Sequence, residues 1–531
     1  MAIEGGISPA VQCDMPDLSD PFDMKFPPGF NAASVFIDRH LREGRGAKIA
    51  IHSVEGDVSY GELICEVNRV ANGLTGLGLA RGDRVLMVIR DCPAFFYAFW
   101  GVIKAGFIPV ALNTLLRADT YAFIIDNSKA AAIIYSPENI SELGPAFACA
   151  EHKIGHVLAT EGGFDALRKK SSDDFAAVAA GAEEDCFWLY SSGSTGRPKG
   201  VVHRHRDMVA TSQFFGVDTL GLREDDVCFS EAKLFFAYGL GNNLTFPLWV
   251  GATAVLNPGR PGPEASFPII ARYRPTVHFG VPTLYATYVA RWPQVQGDFS
   301  SVRFCASGGE PLPAWILQRW HELTGLWILD GVGSTENLHN HISNRLDDIK
   351  PGSSGKPVRG YRARIMDEEG REIAGAGIGR LWVCGGSVAR CYWNNPEKTA
   401  STMVDGWLDT GDTYRRDADG YYYYCGRNDD MMKVGGIWCS PFDIESRLIE
   451  HAAVLEAAVI SRADAAGLMK PEAYVVLKDG VMEDEGLSEE LMALCKQRLA
   501  PYQYPRRVYF VDQLPKTATG KVQRFRLREA G

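Results

Sequence analysis

The sequence predicts an α/β protein with a large multi-layer N-terminal domain and a small α+β C-terminal domain. Its 531 residues exceed what a single hydrophobic core normally organises, so at least two domains are expected. Short apolar strands alternate with amphipathic helices from Asn31 onward, which is typical of a parallel or mixed sheet covered by helices. A glycine-rich, charged junction follows at residues 426–436. We therefore assign residues 1–428 to the large domain, with residues 1–30 as a mobile arm, and residues 429–531 to the small domain.

Individual elements are predicted from periodicity and from signals at their ends. Ser59 stands three residues before Glu62, and this spacing predicts the first turn of a long helix in which the two side chains cap backbone N–H groups. Residues 161–184 are charged and predict a helix-rich connection, whereas the tyrosines of residues 421–424 are typical of an alternating strand. The other predicted helices cover residues 33–41 and 93–104, and the other predicted strands cover residues 48–52, 84–89, 107–112, 186–189 and 302–306.

The composition excludes several classes of function. Apolar residues make up 46% and charged residues 23% of the chain, as is usual for a globular enzyme, and the net charge of −10 disfavours binding to nucleic acid or to an anionic membrane. Residues 1–30 lack the basic start and the apolar core of a signal peptide, so we expect a cytoplasmic protein. The twelve cysteines include no Cys-x-x-Cys spacing, which predicts reduced, mostly buried thiols.

Residues 190–200 are the most informative stretch, because glycines and hydroxyl side chains are mixed there directly after an apolar run. Glycine backbones can turn tightly so that several N–H groups point at one anion, and Lys199 adds a positive charge. An ordinary surface loop is the alternative. The stretch is not a Walker loop, since neither Gly-Lys pair, at residues 355–356 and 520–521, precedes Ser or Thr. The candidate phosphate ligands are Ser191, Ser192, Gly193, Ser194, Thr195, Gly196 and Lys199.

Further segments carry side chains suited to nucleotide chemistry. Glu336 ends the run Asp-Gly-Val-Gly-Ser-Thr-Glu, and its carboxylate is a natural ligand for a hard cation such as Mg²⁺. Asp412 follows a glycine and can accept hydrogen bonds from both hydroxyls of a ribose. Lys521 lies in a glycine-containing segment near the C-terminus, where a solvated tail is the ordinary alternative.

In this order, the motifs resemble those of the adenylate-forming superfamily, which includes acyl-CoA synthetases, peptide-synthetase adenylation domains and luciferases. The resemblance covers nearly the whole chain and implies that ATP, Mg²⁺ and coenzyme A are bound. It assigns catalysis to Glu336, as the Mg²⁺ ligand, and to Lys521, which a rotating lid delivers. It adds Thr195 and Lys199 to the catalytic set and makes Asp429 the hinge of the lid. The other residues that it assigns to ATP or coenzyme A are Ser307, Gly308, Gly309, Glu310, Asp330, Gly331, Thr335, Asp412, Arg427, Gly435, Gly436, Ile437 and Trp438.

A segment around Tyr238 resembles the acyl pocket of the benzoate-CoA ligase branch of that superfamily. Core packing is the alternative interpretation of such an aromatic cluster. Asn337, Asn340 and His341 are more polar than a pocket for a bare phenyl ring requires, which favours a hydroxy- or amino-substituted benzoate beside benzoate itself. Val332 stands where the superfamily often has an aromatic residue, so we assign no adenine stacking to it. The expected pocket residues are Phe236, Ala237, Tyr238, Gly239, Gly333 and His339.

The expected reaction is the ATP-dependent ligation of benzoate, or of a close hydroxy- or aminobenzoate, to coenzyme A through an aryl-adenylate, with release of AMP and pyrophosphate. Another small acid, such as cyclohexanecarboxylate or cinnamate, is an alternative substrate. A luciferase-like oxygenase shares the same motifs. A carrier-loading enzyme is a further alternative, although the chain ends at Gly531 without room for a carrier domain. We consider a homodimer, and a lysine acetyltransferase that modifies Lys521, as further partners.

Overall fold

Two sheets with helices on their faces form most of the large domain, as the alternation of strands and helices predicts. The computed structural model describes residues 15–191, 197–434, 437–464, 469–478, 480–516 and 522–529. The first sheet is parallel at its centre and antiparallel at both edges. From edge to edge, its strands are Lys356–Pro357, Asn340–Ser343, Ile328–Gly333, Phe304–Ser307, Val277–Gly280, Val227–Ser230, Thr253–Val255, Ile49–His52 and Val58–Ser59.

The second sheet carries the residues on either side of the predicted phosphate stretch. Strands Asp185–Ser191 and Lys199–Arg204 are antiparallel, and their register places Ser191 opposite Lys199. The strands beyond Asp185–Ser191 are all parallel to it. From edge to edge, the order is Cys391–Tyr392, Lys199–Arg204, Asp185–Ser191, Ile108–Ala111, Arg84–Val88, Ala132–Tyr135 and His156–Ala159.

Antiparallel strands dominate the rest of the chain. A third sheet completes the large domain with strands Tyr361–Met366, Gly377–Gly385, Trp407–Arg416, Met403–Val404 and Tyr422–Arg427. The small domain has the hairpin Met432–Val434 and Ile437–Cys439, and a sheet of Val454–Ala463, Met469–Leu477 and Arg507–Phe510. The fold is thus the predicted large α/β domain followed by a small α+β domain.

Helices cover the sheets and supply most of the core. Helix Pro93–Lys104 is apolar all round and therefore buried, with the Trp100 ring stacked on Phe36 at 5.0 Å. Its last residue, Lys104, is buried but charge-paired, because Nζ lies 2.5 Å from Asp38 Oδ1. The other α-helices are Arg39–Arg42, Tyr60–Gly76, Ala118–Ser128, Ile140–Cys149, Asp165–Lys170, His205–Ala210, Ala237–Leu240, Phe246–Val250, Pro263–Tyr273, Pro282–Arg291, Ala314–Thr324, Pro396–Thr402, Pro441–Ile449, Glu485–Arg498 and Arg524–Glu529.

Most of the predicted elements are confirmed. The capping box exists at the start of helix Tyr60–Gly76, where Ser59 Oγ accepts from the Glu62 N–H at 3.2 Å and Glu62 Oε2 accepts from the Ser59 N–H at 2.8 Å. The tyrosine run enters strand Tyr422–Arg427. Every cysteine in the described part of the chain is a free thiol. Among the described residues, no helix is both long and apolar enough to cross a membrane.

Two expectations need correction. The connection at residues 161–184 is helical only at its start, through the π-helical turn Thr160–Phe164 and the α-helix Asp165–Lys170. Residues 171–184 are irregular, because their backbone pairs with other segments, as where the Val178 N–H donates to the Lys104 carbonyl. The described part of the expected N-terminal arm, residues 15–30, packs on the large domain, since Phe30 is 2% and Met24 8% exposed. Residues 1–14 lie outside the described residues.

Candidate active site

The candidate active site lies at the carboxyl ends of neighbouring parallel strands, the usual place for a ligand in an open α/β sheet. Strands Phe304–Ser307 and Ile328–Gly333 end there, and their register places Ser307 opposite Asp330. The short turn Thr335–Asn337 follows and carries Glu336. Ser191, from the second sheet, donates through Oγ to Glu336 Oε1 at 3.3 Å. The site therefore joins the two sheets of the large domain.

One segment of the chain contacts Glu336 at both its side-chain carboxylate and its backbone carbonyl. Tyr392 donates from its hydroxyl to Glu336 Oε1 at 2.9 Å. The backbone N–H of Ala389, three residues earlier, donates to the Glu336 carbonyl at 2.8 Å. The bond from Tyr392 has a charged acceptor and fixes the direction of the carboxylate, while the bond from Ala389 fixes the backbone that carries it.

A buried histidine–aspartate pair supports the same turn from the other side. His203 Nε2 lies 2.8 Å from the carbonyl oxygen of Thr335, and His203 Nδ1 lies 3.1 Å from Asp207 Oδ2. Both side chains are fully buried. Because an unpaired polar group would be costly there, the pair specifies one position for the Thr335 backbone.

Lys199 lies in the same cleft. Its Nζ is 4.8 Å from the centroid of the Tyr392 ring. Burial lowers the pKa of Lys199, Glu336 opposes that shift, and Lys398 and Arg427 add to it. Lys199 therefore interacts electrostatically with Glu336 and Arg427, two other residues that are expected to contact the nucleotide or its cation.

The carboxylate of Glu336 fits the Mg²⁺ that the motifs imply. Among the described residues, both hydrogen bonds to this carboxylate fall on Oε1 and none falls on Oε2. In that part of the chain, no cluster of three or more His, Cys, Asp or Glu side chains could hold a metal alone. A lone carboxylate still suits Mg²⁺, since this ion usually completes its shell with substrate phosphates and water.

The chain reverses sharply between Glu336 and the expected acyl pocket. Leu338 has φ of 65° and ψ of −35°, and the His339 N–H donates to the Asn337 carbonyl at 2.8 Å. This is a γ-turn around a buried non-glycine residue, a strained conformation of the kind that clusters at functional sites. The turn brings the carboxylate and His339 within three residues of each other.

His339 packs among aromatic rings beside Tyr238. Its ring lies 5.1 Å from Tyr238, 4.8 Å from Phe215 and 4.6 Å from Phe246. Nε2 lies 3.2 Å from the Tyr238 carbonyl and 3.1 Å from Asn242 Oδ1, and both are acceptors, so this nitrogen carries the proton. Burial lowers the pKa of His339 to about 3, so the imidazole is neutral.

Asn340 is the polar residue that the structure brings to this aromatic wall. A Cβ atom on Gly308 would lie 2.9 Å from Tyr238 Cε2 and 3.2 Å from Asn340 Oδ1, so the ring and the amide flank the same glycine. A Cβ on Gly331 would lie 2.5 Å from Asn340 Nδ2. Asn340 is 2% exposed, and its Nδ2 has no hydrogen-bond partner among the described residues.

Asn337 and His341 are buried but pair with each other. Asn337 Nδ2 lies 3.2 Å from His341 Nδ1, and the Asn337 carbonyl accepts from Ser387 Oγ at 2.7 Å. No contact of either side chain with Tyr238 is recorded in the described part of the chain. Asn337 Oδ1 and His341 Nε2, like Asn340 Nδ2, have no hydrogen-bond partner among the described residues. The expected role of these three side chains toward the substrate therefore stays a prediction, and Asn340 is the one that flanks Gly308 together with Tyr238.

Four of the six expected pocket residues have a packing explanation. A Cβ on Gly239 or on Gly333 would lie within 2.5 Å of a backbone carbonyl oxygen, so neither position has room for a side chain. Phe236 and Ala237 belong to the apolar core of the large domain. The cluster is therefore partly core, and Tyr238 and His339 are the expected residues whose rings face each other.

Asp330 and Ser307 form the buried floor of the cleft, under the loop of Gly308, Gly309 and Glu310. Ser307 is fully buried and Asp330 is 4% exposed. Gly309 has φ of 87°, which favours glycine. Burial raises the pKa of Asp330 from 3.8 to about 8. The site therefore contains a carboxyl group that is largely neutral at neutral pH.

We predict that Asp330→Asn makes stability less dependent on pH. Because the folded-state pKa of Asp330 is raised, the native state retains the proton that the unfolded state loses, and stability falls as pH rises from 3.8 to about 8. Asparagine has the same size and no such loss. Melting temperatures from about pH 5 to about pH 9 should show the variant gaining on the wild type as pH rises. A difference in melting temperature between variant and wild type that stays constant with pH would contradict the raised pKa of Asp330.

Asp412 and Arg427 face each other on neighbouring antiparallel strands. Arg427 Nη1 donates to Asp412 Oδ1 at 2.9 Å and to the Thr410 carbonyl at 3.1 Å. Gly411 has φ of 73°, and a Cβ there would lie 2.7 Å from Arg427 Nη2, so this turn requires glycine. The carboxylate expected on the ribose is thus oriented by the arginine expected on the nucleotide.

The junction between the domains is tied to the last helix of the chain. Asp430 accepts from Arg524 Nη1 at 3.5 Å and forms a shorter ion pair with Arg528. Arg528 Nη2 also donates to the carbonyl of Asp429, the predicted hinge, at 3.4 Å. The helix starts at Arg524, three residues after Lys521, so the hinge is linked to the segment that carries this lysine.

Some predicted site residues lie outside the described part of the chain. Ile437 and Trp438 belong to strand Ile437–Cys439, and Trp438 is 38% exposed. The residues outside are Ser192, Gly193, Ser194, Thr195, Gly196, Gly435, Gly436 and Lys521.

Sequence reasoning missed Tyr392 and His203. Both reach the Glu336 turn from positions far away in the chain, with separations of 56 residues for Tyr392 and 132 for His203. Tyr392 stands in an ordinary aromatic context. Asp207, the partner of His203, ends the His-Arg-Asp triplet at residues 205–207, which does not predict this pair. Residues 199–204 form a strand with four consecutive buried residues, and its sequence does not alternate, so no local pattern marks His203.

Comparison with known proteins identifies the family. Residues 38–393 match the family model described as AMP-binding enzyme, and residues 443–521 match that of the AMP-binding enzyme C-terminal domain. The chain is 48% identical over 512 residues to the benzoate–CoA ligase of Thauera aromatica, covering 96% of this chain and 97% of that protein. It is 43% identical over 508 residues to the 4-hydroxybenzoate–CoA/benzoate–CoA ligase of Rhodopseudomonas palustris, covering 94% of each.

A solved structure agrees over nearly the whole chain. The anthranilate CoA ligase AuaEII in complex with anthranoyl-AMP superposes with a TM-score of 0.91 at 40% identity, covering 95% of this chain and 98% of that one. The two sheets, the cleft between them and the small C-terminal domain therefore have a counterpart in a known ligase. The chain belongs to the AMP-binding enzyme family.

Proposed function

We propose that this enzyme joins a small aromatic carboxylic acid to coenzyme A through an aryl-adenylate, releasing AMP and pyrophosphate. The observation that carries the proposal is the turn at Glu336. It places a fixed carboxylate beside Lys199 on one side, and His339 beside the Tyr238 ring on the other. A cation–phosphate site and an aromatic pocket therefore meet within a few residues. The relatives named above act on benzoate, 4-hydroxybenzoate or anthranilate, which supports an aryl substrate.

In the first half-reaction, a carboxylate oxygen of the acid attacks the α-phosphorus of ATP, and the bond to pyrophosphate breaks. Lys199, Ser191 and the residues at 192–196 are assigned to the phosphates, where positive charge and donors offset the charge that develops. Thr335 is assigned to the same phosphates. Asp412 holds the ribose hydroxyls, with Arg427 fixing its direction.

Adenine is assigned to the floor formed by Ser307 to Glu310 and by Asp330 and Gly331. The neutral carboxyl of Asp330 can accept a hydrogen bond through its carbonyl oxygen and donate one through its hydroxyl, which suits the edge of a purine. Val332 is partly buried against the core of the third sheet, and as an aliphatic residue it offers no ring to stack on the base.

Glu336 would hold Mg²⁺, which supplies charge neutralisation at the phosphates when it is bound. The carboxylate is presented for this role by Tyr392 and by the backbone of Ala389. The residues of this chain contribute by orienting the acid and the α-phosphate toward each other. This converts a reaction between separate molecules into one within a complex.

In the second half-reaction, the sulfur of coenzyme A attacks the acyl carbon of the adenylate, and AMP leaves with the oxygen that came from the acid. We assign Lys521 to the first half-reaction and the segment of Gly435, Gly436, Ile437 and Trp438 to the pantetheine channel of the second. Rotation about Asp429 would exchange them. The ion pairs between Asp430 and the helix at Arg524 would carry that rotation to Lys521.

Within the aryl acids, Asn340 favours a substituted ring. A buried amide N–H without a partner costs about 1–3 kcal/mol, and a hydroxyl oxygen on the substrate could accept from Nδ2 and remove that cost. An amino group on the substrate would instead donate to Oδ1. Benzoate remains a candidate, because the wall formed by Tyr238 and His339 suits any flat ring. The proposed preference is therefore for a hydroxy- or aminobenzoate over benzoate.

We predict that a pyrophosphate-release screen gives the highest kcat/KM with a hydroxy- or aminobenzoate. The screen includes benzoate, cyclohexanecarboxylate, cinnamate and short to medium fatty acids. Asn340→Leu, which replaces the amide by an apolar group of similar size, should move the preference toward benzoate by roughly tenfold or more. A fatty acid that exceeds every benzoate would contradict the aryl pocket. An unchanged ranking in Asn340→Leu would remove the role of this amide.

Two other uses of an adenylate are tested in the same reaction mixtures. A carrier-loading enzyme would accumulate the aryl-adenylate and leave coenzyme A unused, whereas the proposed ligase forms the thioester. A luciferase-like oxygenase would consume oxygen and emit light from the adenylate. Thioester formation that is stoichiometric with AMP release supports the ligase.

A further inference from the structure

Tyr392 touches two groups of opposite charge in the active site. Its hydroxyl donates to Glu336 Oε1 at 2.9 Å, and the face of its ring lies 4.8 Å from Lys199 Nζ. The first contact is a charge-assisted hydrogen bond, and the second is a cation–π contact. Tyr392 itself is 4% exposed, so both contacts are sheltered from water.

These contacts have a consequence for the two charges. No ion pair joins Lys199 to Glu336 in the described part of the chain, although each affects the other electrostatically. Opposite charges in a partly buried cleft attract strongly. The Tyr392 hydroxyl occupies Glu336 Oε1, and the Tyr392 ring contacts the Lys199 ammonium. The carboxylate and the ammonium therefore do not form an ion pair with each other.

The backbone around Tyr392 is rigid enough to keep this arrangement. Strand Cys391–Tyr392 pairs with the edge of the second sheet, and the Tyr392 N–H donates to Thr399 Oγ1 at 3.0 Å. The next residue, Trp393, packs on Trp188 at 4.4 Å and donates from Nε1 to the Asn127 carbonyl at 3.0 Å. Ala389, in the same segment, holds the Glu336 carbonyl.

We propose that Tyr392 is a positioning residue that keeps the cation-binding carboxylate of Glu336 and the phosphate-binding ammonium of Lys199 apart, so that each is available to its own part of the nucleotide. The Tyr392 hydroxyl acts as a hydrogen-bond donor to the carboxylate, as the 2.9 Å contact shows. The inference rests on the proposed function for the identity of the ligand, which is a nucleoside triphosphate with a divalent cation.

The test is the binding of a non-hydrolysable ATP analogue, measured by calorimetry over a titration of Mg²⁺ without acid or coenzyme A. Tyr392→Phe keeps the ring but frees Glu336 to swing toward Lys199. We expect the Mg²⁺ concentration for half-maximal nucleotide binding to rise about tenfold, the scale of one hydrogen bond to a charged group. A structural role alone would lower the melting temperature and leave the Mg²⁺ requirement unchanged.

Tyr121→Phe is the matched control. Tyr121 is 1% exposed and donates to the Asn113 carbonyl at 2.7 Å, so its variant also loses one tyrosine hydrogen bond. Among the described residues its hydroxyl has no hydrogen bond to Glu336 or Lys199. Its Mg²⁺ requirement should equal that of the wild type. The double variant with Glu336→Gln supplies a second measurement. If Tyr392 acts through Glu336, adding Tyr392→Phe to Glu336→Gln should change the Mg²⁺ requirement by less than twofold.

Three results would overturn the proposal. One is an unchanged Mg²⁺ requirement in Tyr392→Phe, and another is an equal effect of this substitution with and without Glu336. The third is a wild-type protein that binds no ATP analogue at any Mg²⁺ concentration, which would also contradict the proposed function. The first two results leave the proposed function intact.

Discussion

Lys521→Ala is expected to abolish pyrophosphate release from ATP and an aromatic acid, yet to convert supplied aryl-adenylate and coenzyme A into thioester at near the wild-type rate. The lysine is assigned to the adenylation pose alone, where its ammonium would face the carboxylate and the α-phosphate. Removing an oriented charge from a largely dehydrated site costs several kcal/mol of transition-state stabilisation, on the order of a hundredfold or more in rate. Single-turnover kinetics of each half-reaction measure the two effects separately.

Lys516→Ala is the matched control for this variant. Lys516 lies near Lys521 in the chain, but its Nζ pairs with Glu456 at 2.6 Å on the surface of the small domain. Its loss should leave both half-reactions unchanged. Gly436→Trp, which should fill the pantetheine channel, is expected to give the opposite pattern, with adenylation preserved. Equal loss of both half-reactions in Lys521→Ala would contradict the rotating-lid assignment.

Acetylation of Lys521 removes the same charge as the alanine substitution. We therefore propose that a lysine acetyltransferase could switch the enzyme off, with the same selective loss of adenylation. Enzyme acetylated at this position and then deacetylated should regain pyrophosphate release. Thioester formation from supplied adenylate should remain constant throughout.

Glu336→Gln is the second variant with a large expected effect. Glutamine keeps the size of the side chain and can still accept from Tyr392, but it removes the charge that should hold Mg²⁺. We expect adenylation to slow by roughly a hundredfold at low Mg²⁺ and to recover partly when Mg²⁺ is raised. Initial rates of pyrophosphate release over a Mg²⁺ titration measure both changes.

Glu369→Gln serves as the control for this experiment. Glu369 is exposed and pairs with Arg371 at 2.9 Å on a surface turn, so its substitution also removes one negative charge. It should leave the Mg²⁺ dependence unaltered. Activity of Glu336→Gln that matches the wild type at low Mg²⁺ would show that the carboxylate is structural.

The fold was largely predictable because its strands and helices are short, regular and marked at their ends. The apolar run that begins at Pro93 and the Ser59–Glu62 box are local signals, and the structure has both. The connection at residues 161–184 was not predictable, because charged residues have helical propensity that packing fails to support there. Its only α-helix covers Asp165–Lys170.

The site was predictable only where its residues share one motif. Glu336, Asp412 and Arg427 could be proposed as site residues because each lies in a contiguous motif, and the structure pairs Asp412 with Arg427 on neighbouring strands. Tyr392 was missed because its role arises from packing between distant parts of the chain. Sequence reasoning could not distinguish the role of Asn340 from that of His341. A register shift between Val332 and Gly333 places Asn340 opposite Gly333, and no local pattern specifies that shift.

The most direct test of the account follows the oxygen atoms of the acid. The preferred aromatic acid, with its carboxylate labelled by the heavy oxygen isotope, is converted with ATP and coenzyme A, and the products are analysed by mass spectrometry. If the carboxylate attacks the α-phosphorus and the thiol then displaces AMP, each AMP carries one labelled oxygen, the pyrophosphate carries none, and the thioester keeps the other. Unlabelled AMP, or label in inorganic phosphate released together with ADP, would contradict the aryl-adenylate.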